Sequence, residues 1–199
     1  MKAQKQPGKQ NASAKIAEAA LRLLENEGAG AVSMRRVAKA VGITPMAIYH
    51  HFPDRQALLK SITDAEFNKL LEFAQARIRR KRSGSSLVNL LEGYLDYAFA
   101  RPKVFDYIFS RDRPDARRYP KDFRARRSPT LNLLADAVTE GMNSGELKKG
   151  DVWEIVMSLW AHNHGLATLY RGGRFDLSEK QFRQFYRRSM QRLIDGLRA

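Results

Sequence analysis

The sequence predicts an all-α protein, and three observations carry that expectation. Apolar residues recur at three- and four-residue spacing through most of the 199 positions. Helix start and stop signals punctuate those stretches: Ser, Thr or Asp caps, proline in a first turn, glycine just past an end. No run alternates apolar and polar residues with period two between turn signals, so strands are not expected.

Residues 1–12, rich in Lys, Gln, Gly and Asn, read as a flexible basic arm. Ser13 can cap a first helix with Ile16, Ala20, Leu23 and Leu24 on one face, stopped by Gly28. After the turn GAGAV, Ser33 suits the N-cap of a short second helix that turns Val37, Ala38 and Val41 inward, with Gly42 at C′. Thr44 followed by Pro45 marks the start of a third helix, a capping hydroxyl and then a proline at N1. From Asp54 one long helix runs through DRQALLKSITDAEFNKLLEFAQARIRR and ends at KRSGSS. Ser86 opens the next, to about Ala100, and Pro102 another, PKVFDYIFSR. Residues 111–127, with two prolines and eight basic residues, read as a loop or partly ordered segment. Ser128-Pro129 restarts a helix that ends near NSGELKKG. Asp151 with Glu154, and Ser178 with Gln181, form capping boxes for the last two, which reach about Arg171 and Gly196.

Thirty-six Lys and Arg face 21 Asp and Glu, a net charge of +15, and an excess that large points to a polyanionic partner. With no cysteine, disulfides, thiolate catalysis and Cys-based zinc sites are excluded. The N-terminal residues lack the apolar core of a signal peptide, and no stretch of 18 or more apolar residues occurs. A cytoplasmic protein with no membrane partner is expected. No Ser/His/Asp arrangement, glycine-rich phosphate loop or paired carboxylates in a recognisable setting suggests an enzyme, and no cofactor is called for.

Residues 42–52, GITPMAIYHHF, concentrate the functional signal. Residues 33–52 have the spacing of a helix-turn-helix: helix, glycine at the tight turn, then a capped second helix. Ile48 and Phe52, four apart, can pack inward, leaving Pro45, Met46, Tyr49 and His50 toward solvent. The open N-terminus of this helix presents N–H groups and a positive dipole end, both suited to phosphate. A metal site does not fit. Adjacent His50 and His51 lie about 100° apart around a helix, whereas ligands on one face need spacing of three or four. Against phosphate contact stands the plainer reading that both histidines are simply solvated.

The stretch SMRRVAKAVGITPMAIYHHFPDRQALL resembles the DNA-binding domain of TetR-family transcriptional regulators, over about residues 14–62. GELKKGDVWEIVMSLWAHNHGLATL is similar to the ligand-binding domain of one TetR subgroup, whose penultimate helix carries a Trp and then a His-Gly pair, here Trp160 and His164-Gly165. The resemblance implies a helix-turn-helix domain over residues 13–60 and a helical ligand-binding and dimerisation domain over 61–199. It places Arg35 where a side chain reaches a base edge or phosphate, and a guanidinium suits guanine O6 and N7. Ser33, Thr44, Tyr49 and His51 match phosphate-contacting positions, and Pro45, Met46 and His50 match positions facing the major groove. Arg55 and Lys60 are candidates for further backbone contacts. Met46 is less polar than the family's usual choice, which shifts readout toward the thymine methyl.

The family works as a two-fold dimer, and the last two helices offer a seam: Val152, Ile155, Val156 and Leu159 on one, Phe182, Phe185, Leu193, Ile194 and Leu197 on the other. The same stripes also suit the chain's own core. Phe99, Phe105, Tyr107, Trp153, Trp160 and His164 are material for an apolar pocket, though each alone suits core packing. The expected protein is thus a sequence-specific DNA-binding regulator, a repressor released from a palindromic operator by a small, largely apolar ligand. The alternative is an architectural nucleic-acid-binding protein without an inducer.

Overall fold

A computed structural model describes residues 7–79, 86–109 and 115–199. These form α1 (Pro7–Glu27), α2 (Met34–Val41), α3 (Pro45–Tyr49), α4 (Arg55–Arg79), α5 (Ser86–Ala100), α6 (Pro102–Ile108), α7 (Lys121–Arg124), α8 (Pro129–Asn143), α9 (Val152–Arg171) and α10 (Glu179–Asp195). A 3-10 turn, Ala29–Ala31, follows α1, and no strand occurs among the described residues. The chain forms two compact units: Met1–Phe67 with Arg101–Asp115, and Asn68–Ala100 with Ala116–Ala199.

Unit one contains α1, α2, α3, the first half of α4, and α6. Ile16, Ala20, Leu24, Val37, Ala38, Ile48 and Leu58 form its core and are almost wholly excluded from solvent. α6 packs on α1. Arg101 at its start pairs with Glu25 of α1 and, at 2.8 Å, with Glu66 of α4. Lys103 adds a hydrogen bond to the Asn26 carbonyl.

The first helix begins at Pro7, six residues before the Ser13 cap expected from the sequence. Proline lacks the N–H that a first turn cannot use, and Lys9, Gln10 and Ala12 favour helix, whereas Gly8 and Asn11 do not. Of the arm expected over residues 1–12, residues 7–12 are therefore helical and the first six lie outside the described residues. Residues 81–85 of KRSGSS and 111–114 of the arginine-rich stretch lie outside them too.

Unit two is built around α5, eleven of whose fifteen residues are buried. At Gly93 its backbone meets that of α4: an added Cβ would stand 2.5 Å from Ala74 Cα and 2.8 Å from the Phe73 carbonyl oxygen. Only glycine fits there. Phe182, Tyr97 and Tyr186 are fully buried. The Tyr186 hydroxyl lies 2.8 Å from the Leu91 carbonyl and 2.6 Å from Asn163 Oδ1, two acceptors for its one proton. Burial pushes that phenol well above the usual tyrosine range, with the nearby Glu92 charge adding to the effect.

Beside it runs an ion lattice that the sequence reading did not anticipate. Arg77 of α4 grips Asp96 of α5, with one of the two hydrogen bonds at 2.8 Å, and lies 3.5 Å from Glu92. Arg183 of α10 reaches the same Asp96 at 2.6 Å, and Arg187 holds Glu92 with hydrogen bonds of 3.0 and 2.5 Å. Burial raises the Asp96 pKa, but hydrogen bonds from Arg77 and Arg183 outweigh it and leave the carboxyl below its usual value.

Candidate nucleic-acid interface

Three caps build the reading head. Ser33 Oγ accepts from the Arg36 N–H at 3.2 Å, starting α2. Gly42 ends α2 with φ 77°, a left-handed conformation that glycine adopts without a Cβ penalty, and its N–H bonds back to the Ala38 carbonyl. Thr44 Oγ1 then accepts from the Ala47 N–H at 3.2 Å, with Pro45 in the first turn of α3. All three follow the sequence expectation.

α3 is five residues long and turns Ile48 fully inward. Its other face is open. Met46 is 69% exposed and Tyr49 48%, while Pro45 and His50 are also exposed. Five large hydrophobic residues are exposed among those described, and α3 holds two of them. Arg35 is exposed on α2, whereas its neighbour Arg36 is committed to Glu27 through hydrogen bonds of 3.0 and 2.7 Å. That hydrogen bonding holds the Glu27 carboxyl below its usual range.

Three of the residues singled out in the sequence have partners within unit one. His51 is half-buried, and its Nδ1 shares a 3.0 Å hydrogen bond with Ser13 Oγ. Lys60 Nζ lies 2.6 Å from Asp64, one turn on. Arg55 donates through Nε to the Val32 carbonyl and through Nη2 to the Ala29 carbonyl, both at 2.6 Å. It therefore clamps the 3-10 turn that leads into α2. Asp54, where the sequence reading starts the long helix, caps α4 by accepting from the Ala57 N–H at 2.7 Å.

The six residues expected to line an effector pocket are divided between the two units. Phe105 and Tyr107 lie on α6 in unit one, where Phe105 is buried against Phe109 and Tyr107 borders an open cleft with Lys60 and Lys103. In unit two, Phe99 packs with Tyr170 and Phe182, under the Arg183 guanidinium. Trp153, Trp160 and His164 form a separate wall along α9. Trp160 lies 6.0 Å from the His164 ring between centroids and hydrogen-bonds the Tyr94 hydroxyl, which meets His164 Nδ1 at 2.7 Å. Burial lowers the His164 pKa below that of a free imidazole, and it raises Tyr94 well above an ordinary phenol. Tyr94 and Phe123, the partners that complete this wall, escaped the sequence reading. Each comes from a helix far away in the chain, so no local pattern announces it.

Among the described residues no helix is long and apolar enough to cross a membrane. Residues 16–62 match the profile of the bacterial regulatory proteins of the tetR family, and residues 87–193 that of the tetracyclin repressor-like C-terminal domain. An uncharacterized HTH-type transcriptional regulator, YobS of Bacillus subtilis, is 23% identical over 91 residues, 46% of this chain and 48% of that protein. The chain is thus matched over about half the length of its curated relatives or less. Among solved structures, a protein of unknown function from Rhodococcus sp. RHA1 superposes with a TM-score of 0.79 at 23% identity, over 94% of this chain and 95% of that one. The transcriptional regulator FadR from Bacillus subtilis, in complex with stearoyl-CoA, gives 0.71 at 17% identity, over 92% and 98%. The structural likenesses speak for the fold; the two profiles, one on the reading head and one over more than half the chain, assign the family. The chain belongs to the TetR family of helix-turn-helix, DNA-binding transcription regulators.

Proposed function

We propose that the protein is a repressor that binds a palindromic operator as a homodimer and leaves it when a small, largely apolar molecule occupies unit two. The outward face of α3 carries the DNA reading, since so short a helix would not otherwise leave Met46 and Tyr49 in water. In this assignment Pro45, Met46 and His50 face the major groove and Arg35 reaches a base edge. Ser33, Thr44, Tyr49 and His51 meet phosphate, with Lys60 at the margin and Arg55 acting from behind by fixing the turn. The seam between copies falls on α9 and α10, where Phe185, Leu193 and Leu197 remain only half-buried after the chain has packed and Leu169 is exposed. Gly165, on the same helix, has open space where a side chain would stand, which suits close approach of a second helix.

The effector meets Trp153, Trp160 and His164, with Phe99 as a neighbouring element. α4 is continuous from the reading head into unit two, so a change of its position in one is carried covalently to the other. FadR in complex with stearoyl-CoA shows that this fold can hold a ligand with a long apolar acyl chain. Linkage sets the scale: each roughly 1.4 kcal/mol of preference for the DNA-free state weakens operator binding about tenfold.

Binding-site selection on random duplexes with the full chain tests the reading. An enriched inverted repeat, whose binding survives competitor DNA, is the expected result. Unenriched binding that disappears as salt rises would replace it with a sequence-independent binder. A panel of apolar compounds, scored by melting temperature and operator affinity together, tests release.

A further inference from the structure

Trp153 and Trp160 stand seven residues apart on α9 and so share one face of it. The ring of Phe123, from the four-residue α7, lies against both, at centroid distances of 6.4 and 6.2 Å and tilts of 43° and 48°. Phe123 is 6% exposed, although the residues on either side of it in the chain are exposed or half-buried. Other ties of this segment are exposed, among them the Asn132 side-chain amide donating to the Arg126 carbonyl at 2.7 Å. Arg124 meets Asp151 at 2.7 Å, and Arg126 meets Asp136 at 2.7 and 2.9 Å. Exposed pairs of this kind hold weakly and are screened by salt. α7 with its flanking residues 116–127 is therefore a strap whose one buried residue is Phe123, dressed in cations, Arg118 and Lys121 among them.

We propose that Phe123 is a resident stand-in for the effector: a planar apolar molecule bearing an acidic group takes its place between Trp153 and Trp160, and Arg124 receives the acidic group. The inference rests on the effector-released repressor reading and supplies the chemical class of the effector. The exchange is like for like. The tryptophan faces lose one aromatic ring and gain another, so they are not left in water. Arg124 trades the Asp151 carboxylate for the ligand's acid, keeping a charge-assisted hydrogen bond. Asp151 keeps its other task, since Oδ1 accepts the Trp153 and Glu154 N–H groups that start α9. A neutral planar ligand fills the slot but leaves Arg124 and Asp151 parted without compensation, which is why acidic ligands are favoured.

The chain has two tryptophans and both stand in this slot, so tryptophan emission, excited selectively over its seven tyrosines, reports on the slot. The test uses the full chain with 8-anilinonaphthalene-1-sulfonate as acidic planar probe and N-phenyl-1-naphthylamine as its neutral counterpart. Phe123→Ala should bind the acidic probe roughly tenfold tighter than the parent or better, with tryptophan emission quenched by transfer to the dye. Adding Arg124→Gln should abolish the preference for the acidic over the neutral probe. A cooperative melt shows that the dye reads a folded chain. If Phe123→Ala does not fold, Phe123→Leu keeps apolar bulk without the flat ring and should shift affinity the same way by less. Unchanged probe affinity and unchanged tryptophan emission in either folded variant overturn the proposal. Operator binding separates the two readings. Tighter probe binding without operator release upholds the slot and sinks effector-driven release, while release by another compound with the slot unaltered does the reverse.

Discussion

The caps that shape the turns of the reading head act on a shorter length scale than the ties that hold unit two, although His51 to Ser13, across 38 residues, also anchors the head. In the head, Ser33 meets the Arg36 N–H, Thr44 the Ala47 N–H and Asp54 the Ala57 N–H, all between residues three apart. In unit two the governing bonds join distant positions: Tyr94 to His164 across 70 residues, Arg183 to Asp96 across 87, Tyr186 to Leu91 and Arg187 to Glu92 across 95. A head shaped by its own turns can change its outward residues, and hence the sequence it reads, without disturbing its core. A body shaped by remote contacts behaves as one piece, so an event at one wall is felt throughout it.

The contrast can be broken by mutation, and the largest expected effect lies in unit two. Phe182→Ala removes a fully buried ring stacked 4.0 Å from Tyr170 and should cost about 3–5 kcal/mol by chemical denaturation. Gly93→Ala forces a Cβ against the Ala74 backbone and should cost about 1–3 kcal/mol; a smaller loss would mean that α4 and α5 slide apart freely. In the head, Arg35→Ala should leave melting unchanged while removing about 1–3 kcal/mol of operator affinity and relaxing choice at one base. If a binding-site selection shows base preference intact, Arg35 is a phosphate contact. Thr44→Ala should cost about 0.5–2 kcal/mol of stability and weaken DNA binding as well. Should that single cap prove as costly as Phe182, the proposed division between local and remote support fails.

The smallest effect is one of pH. Because the His164 pKa in the fold lies below its unfolded value, the unfolded chain takes up the proton first. Stability is fully present above about pH 6.5, the ordinary imidazole value, and falls as pH drops through the lowered folded value. Asp96, also depressed, adds a loss only at more acid pH, below the ordinary aspartate range. Melting temperature followed from pH 7.5 to 5 should decline in the parent, and His164→Gln should flatten that decline.

The same division of scale explains what could be read in the sequence. The caps Ser33, Thr44, Asp151 and Ser178 were visible because a cap is a residue and its neighbour three positions on, and all four form. The outward set Pro45, Met46, Tyr49 and His50 followed from helical spacing alone. Ser13 misled because a favourable cap residue is equally tolerated inside a helix when Pro7 can start it earlier. The clamp made by Arg55, the places of Tyr94 and Phe123, and the Arg77–Asp96–Arg183 lattice were not legible: nothing near any of them in the chain signals a partner that only folding delivers. That Phe105 and Tyr107 belong to one unit and Trp160 to the other was hidden for the same reason, since aromatic content reveals burial without revealing neighbours.

Arg55 and its clamp bear on how strongly the protein should respond to salt. Affinity for DNA falls with ionic strength in proportion to the phosphates whose condensed counterions are released, about 0.9 in log–log slope for each. Among the described side chains of unit one, Arg22, Arg36, Lys60 and Arg101 already face carboxylates, and Arg55 and Lys103 face carbonyls. Lys15, Arg35 and Lys39 stand exposed without such a neighbour. Those three described cations of each head account for a slope of roughly 2–3, and the N-terminal lysines Lys2, Lys5 and Lys9 are counted apart from it. Cations already held by carboxylates and carbonyls add little to that slope, so what they contribute to the grip comes through the shape they fix, and it outlasts a rise in salt.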